Sequence, residues 1–269
     1  MTERITSAQN QKFKHLLALQ EKSRLRRESG LFVVEGEREL LHCLEGGFRI
    51  RCVFCCPELM REDNGIDAAL EGVQRFDISR ELYAKAALRG STEGIVAEVF
   101  AKESRLEDLE LGDNPLIAVL ESVEKPGNLG AVLRSADACG VDAVIVCDPL
   151  TDIYNPNLIR ASLGAVFTVP CVTCSSAECI SFLKANSIQI LTAQLQDSSL
   201  YYDTDMRRPT AIVFGTEATG LSQIWREAAD AHIRIPMLGE LDSLNVSVSA
   251  AILMFEAVRQ RSVIDSLQA

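Results

Sequence analysis

Residues 115–148, "PLIAVLESVEKPGNLGAVLRSADACGVDAVIVCD", pass from an apolar strand through a polar loop and a helix into a second apolar strand. Leu116, Ile117, Ala118, Val119 and Leu120 form a continuous apolar run, not an alternating one, and residues 143–146 repeat the texture. Such runs suit parallel strands buried on both faces. Downstream, "AVFTVP", "IQILTAQ", "AIVFG" and "AHIRIPM" read as further strands, with helical stretches between them. Strands alternating with helices predict an α/β domain on a parallel sheet. Ligands of such sheets sit outside the carboxyl ends of the strands. A site is therefore expected in the loops after "AVLES", "AIVFG" and "IRIPM".

Upstream lies a smaller α/β unit. "SAQNQKFKHLLALQEKSRLRR" has a helical pattern with Ser7 as the expected N-cap. "GLFVVEG" reads as a strand, "ERELLHCLEGG" as a helix closed by Gly46 and Gly47, and "RIRCVFCC" and "STEGIVAEVF" as strands. Residues 101–115 are charged, poor in aromatics and end in Gly-Asp-Asn-Pro, which marks a linker. The expected division is residues 1–104 and residues 105–269.

The chain has 269 residues and 47% hydrophobic content, enough for a sizeable core. No apolar run has the length of a membrane span, and the N-terminus has no apolar signal region. A cytoplasmic protein without a membrane partner is expected. The net charge of −11 argues against indiscriminate nucleic-acid binding, DNA included. Yet residues 1–30 hold seven basic side chains against three acidic ones, a local charge of +4, so the remainder carries −15. Lys12, Lys14, Lys22, Arg24, Arg26 and Arg27 make up a basic arm of the kind that contacts nucleic-acid phosphates, or else a solvated helix face. The nine cysteines are an odd count, and several sit in apolar runs, so they read as reduced, buried thiols. Of the two C-x-x-C spacings, Cys52/Cys55 falls on a strand, where positions three apart face opposite ways, and Cys171/Cys174 on a strand running into a loop, with no loop glycine to set up a zinc knuckle at either place. No metal site is expected.

Three loops carry unusual polar content. In "EKPGNLGAVLRSADACG", Asn128 is placed to cap the helix and Arg134 follows six residues on, either snorkelling to solvent or fixed to bind an anion. In "FGTEATGLS", Gly215 and Gly220 have the separation of a P-loop, but Leu221 stands where the lysine would be and Glu217 puts negative charge inside the loop. Both departures argue against a triphosphate. In "IRIPMLGELDSLNVSVSAAILMFEAVRQ", local alternation suggests a strand, but the small residues after Ser243 fit a helix running on to Gln260, with Asn245 near its start.

Taken together, these stretches resemble the three motifs, in order, of the SpoU/TrmH family of SPOUT-class RNA ribose methyltransferases. Asn128 and Arg134 stand at the family's asparagine and arginine. Gly215, Glu217, Gly220 and Leu221 match the second motif, and Ile235, Pro236, Met237, Ser243, Leu244 and Asn245 the third. The N-terminal stretches resemble the substrate-binding domain that many members carry. Leu129 and Ser249 depart from commoner residues without touching the chemistry.

The resemblance implies a C-terminal domain tied in a trefoil knot, a homodimer, and S-adenosylmethionine as methyl donor. It implies Asn128, Arg134, Glu217 and Asn245 as catalytic residues, with the donor held by Gly215, Gly220, Ile235, Met237 and Leu244. The basic arm would bind RNA, ribosomal RNA in preference to transfer RNA. The implied reaction is methylation of a ribose 2′-hydroxyl. The alternatives are a catalytically silent RNA-binding or ribosome-assembly protein of the same fold, and a dinucleotide-dependent oxidoreductase, against which the missing G-x-G-x-x-G counts.

Overall fold

In the computed structural model, which describes residues 3–60, 66–88, 93–216, 219–241 and 243–268, the chain divides into two compact units. One comprises Met1–Glu103 with Asp152–Thr168, the other Ser104–Thr151 with Val169–Ala269.

In chain order the first unit contains β1 (Glu3–Ile5), α1 (Gln11–Glu21), α2 (Ser23–Ser29), β2 (Leu31–Glu35), α3 (Glu37–Glu45), β3 (Ile50–Cys55), α4 (Ile66–Ala69), β4 (Gln74–Ile78), α5 (Arg80–Ala86) and β5 (Ile95–Phe100). The strands form a mixed sheet in the order β1-β4-β3-β5-β2. Ser7 does not cap the first helix as expected. Its hydroxyl accepts from the Gln9 amide, and Asn10 caps instead, its side-chain oxygen accepting from the Lys12 amide at 2.9 Å. The helix buries Phe13, Leu16 and Leu19, and two cap-competent side chains precede it.

Residues 152–168, read in the sequence as part of the second domain, pack into this first unit. Tyr154 stacks on Phe32 with ring centroids 4.3 Å apart, and Phe167 and Phe48 complete the aromatic cluster. Here "AVFTVP" is not a strand. Residues Ala165–Thr168 form a helical turn, α8, after α7 (Pro156–Ser162). A short buried apolar run has no periodicity to separate helix from strand.

Arg26 also departs from expectation. Grouped with the basic arm, it is only 4% exposed. Its Nε donates to Asp152 Oδ2 at 2.5 Å and its Nη1 to the Leu19 and Gln20 carbonyls. It ties the excursion to α1 and is withdrawn from any phosphate.

In the second unit, β6 (Leu116–Glu121), α6 (Pro126–Cys139) and β7 (Ala143–Cys147) confirm the strand–helix–strand reading. After the excursion come β8 (Cys171–Cys174), α9 (Ser176–Ala185), β9 (Gln189–Ala193), the two-residue β10 (Ser199–Leu200), β11 (Thr210–Phe214), α10 (Gln223–Ala228), β12 (Ala231–Arg234) and α11 (Val246–Gln268). All pairings are parallel, in the order β10-β12-β9-β11-β6-β7-β8. Every residue of β6, β7 and β11 is buried, as strands covered on both faces require. The stretch before β6 is not a bare tether. Leu106 is buried in the sheet's core with Leu109 and Leu111 packed beside it. Among the described residues, no helix is long and apolar enough to cross a membrane.

Arg26→Ala should destabilise the chain by about 3–5 kcal/mol, because it strands a largely buried carboxylate. The exposed Arg24, paired with Glu28, should leave the urea midpoint unchanged when replaced by alanine. Equal midpoints for the two variants would contradict the structural role of Arg26.

Candidate active site

The sheet reverses its winding between β6 and β11. From β6 the chain steps through β7 to β8 at one edge, then crosses over so that β11 returns to lie between β9 and β6. Leu120 and Phe214 are register partners, so the loops leaving these two strands emerge side by side.

The loop after β6 enters α6 at Pro126, the first helical residue, where its missing N–H costs nothing and its fixed φ suits the helix. Asn128 therefore lies within the first turn and is not the cap expected from the sequence. Its side chain is released for a longer-range contact. The loop after β12 ends where α11 begins at Val246, three residues later than the Ser243 start read from the sequence. The reason is Asn245. Its Oδ1 accepts from the Ser247 amide at 2.9 Å and the Ser247 hydroxyl at 2.6 Å, while its carbonyl takes the first helical bonds from Val248 and Ser249. The other end of the same amide, Nδ2, donates to Asn128 Oδ1 at 3.2 Å. Two asparagines 117 residues apart thus join the first turn of α6 to the start of α11.

The loop after β11 folds back on itself. Thr216 and Gly220 form an antiparallel bridge, with amide-to-carbonyl bonds of 3.2 and 3.0 Å. The Thr216 and Thr219 hydroxyls meet at 2.8 Å. Gly220 has φ +68°, and a Cβ on Gly215 would lie 2.4 Å from the Gly220 carbonyl carbon. Both glycines are thus dictated by backbone geometry. Leu221, where a P-loop carries lysine, is buried in the core, so no cation can reach a phosphate from that position. Glu217 lies outside the described residues.

Arg134 is exposed on α6, about 9 Å along the axis from Asn128 at 1.5 Å per residue. Ile235 and Met237 are half-buried after β12, and Leu244 is 37% exposed beside Asn245. Half-buried apolar side chains of this kind suit a flat ring, and the folded-back glycine loop offers main-chain groups. The three histidines are engaged elsewhere: His15 with Glu98, His42 with Glu45, and His232 with the Thr192 hydroxyl. In the first unit Lys14, Lys22 and Arg27 are exposed, whereas Lys12 pairs with Glu3 and Arg24 with Glu28.

Sequence reasoning missed the support under these loops. Glu121, the last residue of β6, is 6% exposed and accepts from the Ser222 amide at 2.8 Å and the Ser222 hydroxyl at 2.5 Å. This pins the exit of the Gly215–Gly220 loop to the end of the neighbouring strand. Beside it the buried Trp225 donates from Nε1 to the Ser176 hydroxyl, which in turn donates to Asp148 Oδ2 at 2.6 Å. The available signal was a carboxylate closing a run of five apolar residues, because an acidic group in a buried strand demands a partner.

Gly215→Ala should cost about 1–3 kcal/mol through overpacking. Gly127→Ala, where an added Cβ meets nothing within 4 Å, should be neutral or slightly stabilising. Thermal unfolding of the pair checks this, and an unperturbed Gly215→Ala would contradict the folded-back loop.

Residues 115–255 match the SpoU rRNA Methylase family, and residues 10–97 match the MRM3-like substrate binding domain. The chain is 35% identical over 202 residues to the 23S rRNA (guanosine-2'-O-)-methyltransferase RlmB of Ralstonia nicotianae, covering 73% of this chain and 81% of that one. A crystal structure of an RNA 2'-O ribose methyltransferase superposes with a TM-score of 0.83 at 36% identity, over 96% of this chain and 99% of the other. An AdoMet-bound rRNA methyltransferase from Sinorhizobium meliloti superposes with a TM-score of 0.88 at 26% identity, over 96% and 98%. The chain belongs to the SpoU rRNA methylase family.

Proposed function

We propose that this SpoU-family enzyme transfers a methyl group from S-adenosylmethionine to a ribose 2′-hydroxyl of ribosomal RNA at the loops following β6, β11 and β12. The observation that carries the reading is the Asn245–Asn128 hydrogen bond, which fastens the third of these loops to the first. A reading as a dinucleotide oxidoreductase has no comparable support.

Gly215, Gly220, Ile235, Met237 and Leu244 would hold the donor, the glycines through backbone and the others through apolar contact. When bound, the donor supplies an electrophilic sulfonium methyl group. The chain's own residues bring the hydroxyl oxygen into line and stabilise the charge that develops on it as its proton leaves. No histidine is available as a base with a pKa near neutrality. A guanidinium keeps its proton in proteins and is a poor resting base. The role of Arg134 is to orient the nucleotide phosphate and stabilise the developing alkoxide. Asn128 and Asn245, locked together, position the ribose, and Glu217 braces the second loop. The trefoil knot belongs to the same proposal.

Lys12, Lys14, Lys22, Arg24 and Arg27 would contact RNA phosphates, with Arg26 excluded by its burial. Lys12 and Arg24 would exchange exposed ion pairs for phosphate contacts at little cost. A second copy of the chain would cover the exposed apolar residues Leu238, Leu241, Val248 and Phe255. The last two are seven residues apart on one face of α11. Ribosomal RNA as substrate makes the cytoplasm the working compartment.

Arg134→Ala should lower methyl transfer by about 100-fold or more, with donor affinity by calorimetry little changed. Arg134→Lys should be nearly as impaired, because a point charge does not reproduce the bidentate fork. A lysine variant with most of its activity would remove that role from Arg134. Each of Lys14→Ala, Lys22→Ala and Arg27→Ala should reduce the slope of log K for RNA against log salt by about 0.7–0.9. Unchanged slopes in all three would remove the arm from the RNA interface.

A further inference from the structure

We infer that Cys147, Cys174 and Cys179 form a thiolate site for a soft divalent metal ion, zinc by its tetrahedral sulfur chemistry. Among the described residues they are the group of three whose ligand atoms converge, all three sulfurs lying within 4.8 Å of one another.

The trio is invisible in the sequence because it is assembled by the fold. The C-x-x-C spacing suggests Cys171 with Cys174, but alternation along β8 sends these two to opposite faces. Cys147 closes β7, Cys174 closes β8, and the two are register partners on adjacent parallel strands. They therefore share a face. Cys179 reaches that face from the fourth position of α9.

The third sulfur favours an ion over a disulfide, which would use only two of the three converging atoms. Tetrahedral zinc with bonds of about 2.3 Å to sulfur sets its ligands about 3.8 Å from one another, so the trio needs to close by no more than about 1 Å. The surroundings suit thiolates. Ser175 and Glu178 form a capping box at the start of α9, whose positive end lies nearest Cys174 and Cys179. Asp148 is taken up by Ser176, so the fourth position goes to water. An ion here would cross-link β7, β8 and α9. It would stiffen the edge of the sheet where Ser176 of α9 accepts from Trp225 of α10, and it has no part in methyl transfer.

The test uses the full-length reduced chain, stripped of metal under anaerobic conditions and titrated with Co²⁺, then with Zn²⁺ against a chromophoric chelator. The expected result is one equivalent of Co²⁺ with a thiolate-to-cobalt charge-transfer band, displaced by Zn²⁺. Cys174→Ser should weaken zinc binding by at least about tenfold, while Cys171→Ser leaves it unchanged. Because a variant could misfold, the unmutated chain gives a second reading: zinc should protect Cys174 from alkylation, as mapped by mass spectrometry, without protecting Cys171. Absence of the band, equal zinc affinity in Cys174→Ser, or unprotected alkylation of Cys174 would overturn the site.

Discussion

The insertion of β11 between β6 and β9 is the constraint on which the rest of the second unit depends. β6 and β11 are buried on both faces, and a slip in register would move apolar side chains without moving the need to bury them. With Leu120 opposite Phe214, the chain leaves both strands at the same level. Glu121 then stands where it can receive Ser222, and the loop between Phe214 and Ser222 must turn back within a few residues. Gly215 and Gly220 permit that turn. The long α11 returns across α6, β6 and β11, which brings Asn245 to Asn128. The site is a consequence of strand order followed by three tight backbone solutions.

Much of this was legible in the sequence, for particular reasons. Continuous apolar runs marked the central strands because parallel strands have no solvent face to alternate toward. The helical nature of the segment after Asn245 was recoverable despite its alternating start, because small residues followed by "AAILMFEAV" cannot serve as a surface strand. The helix starts were read less well. Ser7, Asn10, Asn128, Ser243 and Asn245 are all plausible caps by residue type, and only the tertiary contacts decide which ones act. The short helical turn at Ala165–Thr168 was lost for want of periodicity. Long-range pairings were beyond reach: Arg26 with Asp152, Glu121 with Ser222, and Cys147 with Cys174.

Charge tells a similar story at a different scale. The basic arm stood out against an acidic chain, yet a count of cations overstates what can meet a phosphate. Arg26 is consumed by a carboxylate and two carbonyls, and Lys12 and Arg24 already have carboxylate neighbours. At the site the opposite holds. With the histidines engaged elsewhere and Leu221 buried, the proposed chemistry would rest on the exposed Arg134, two coupled amides and backbone. This inventory suits the alignment of a nucleophile and the stabilisation of developing charge. It does not suit proton abstraction by a tuned base, nor phosphate-cradle chemistry.

The most direct test is the identity of the methylated product. The full chain would be incubated with isotopically labelled S-adenosylmethionine and unmodified ribosomal RNA, the RNA digested to nucleosides, and the label located by mass spectrometry. The account predicts a label on the ribose, as a 2′-O-methylated nucleoside, from the intact chain. Label on a base, or no transfer to free RNA or to ribosomal particles, would contradict it.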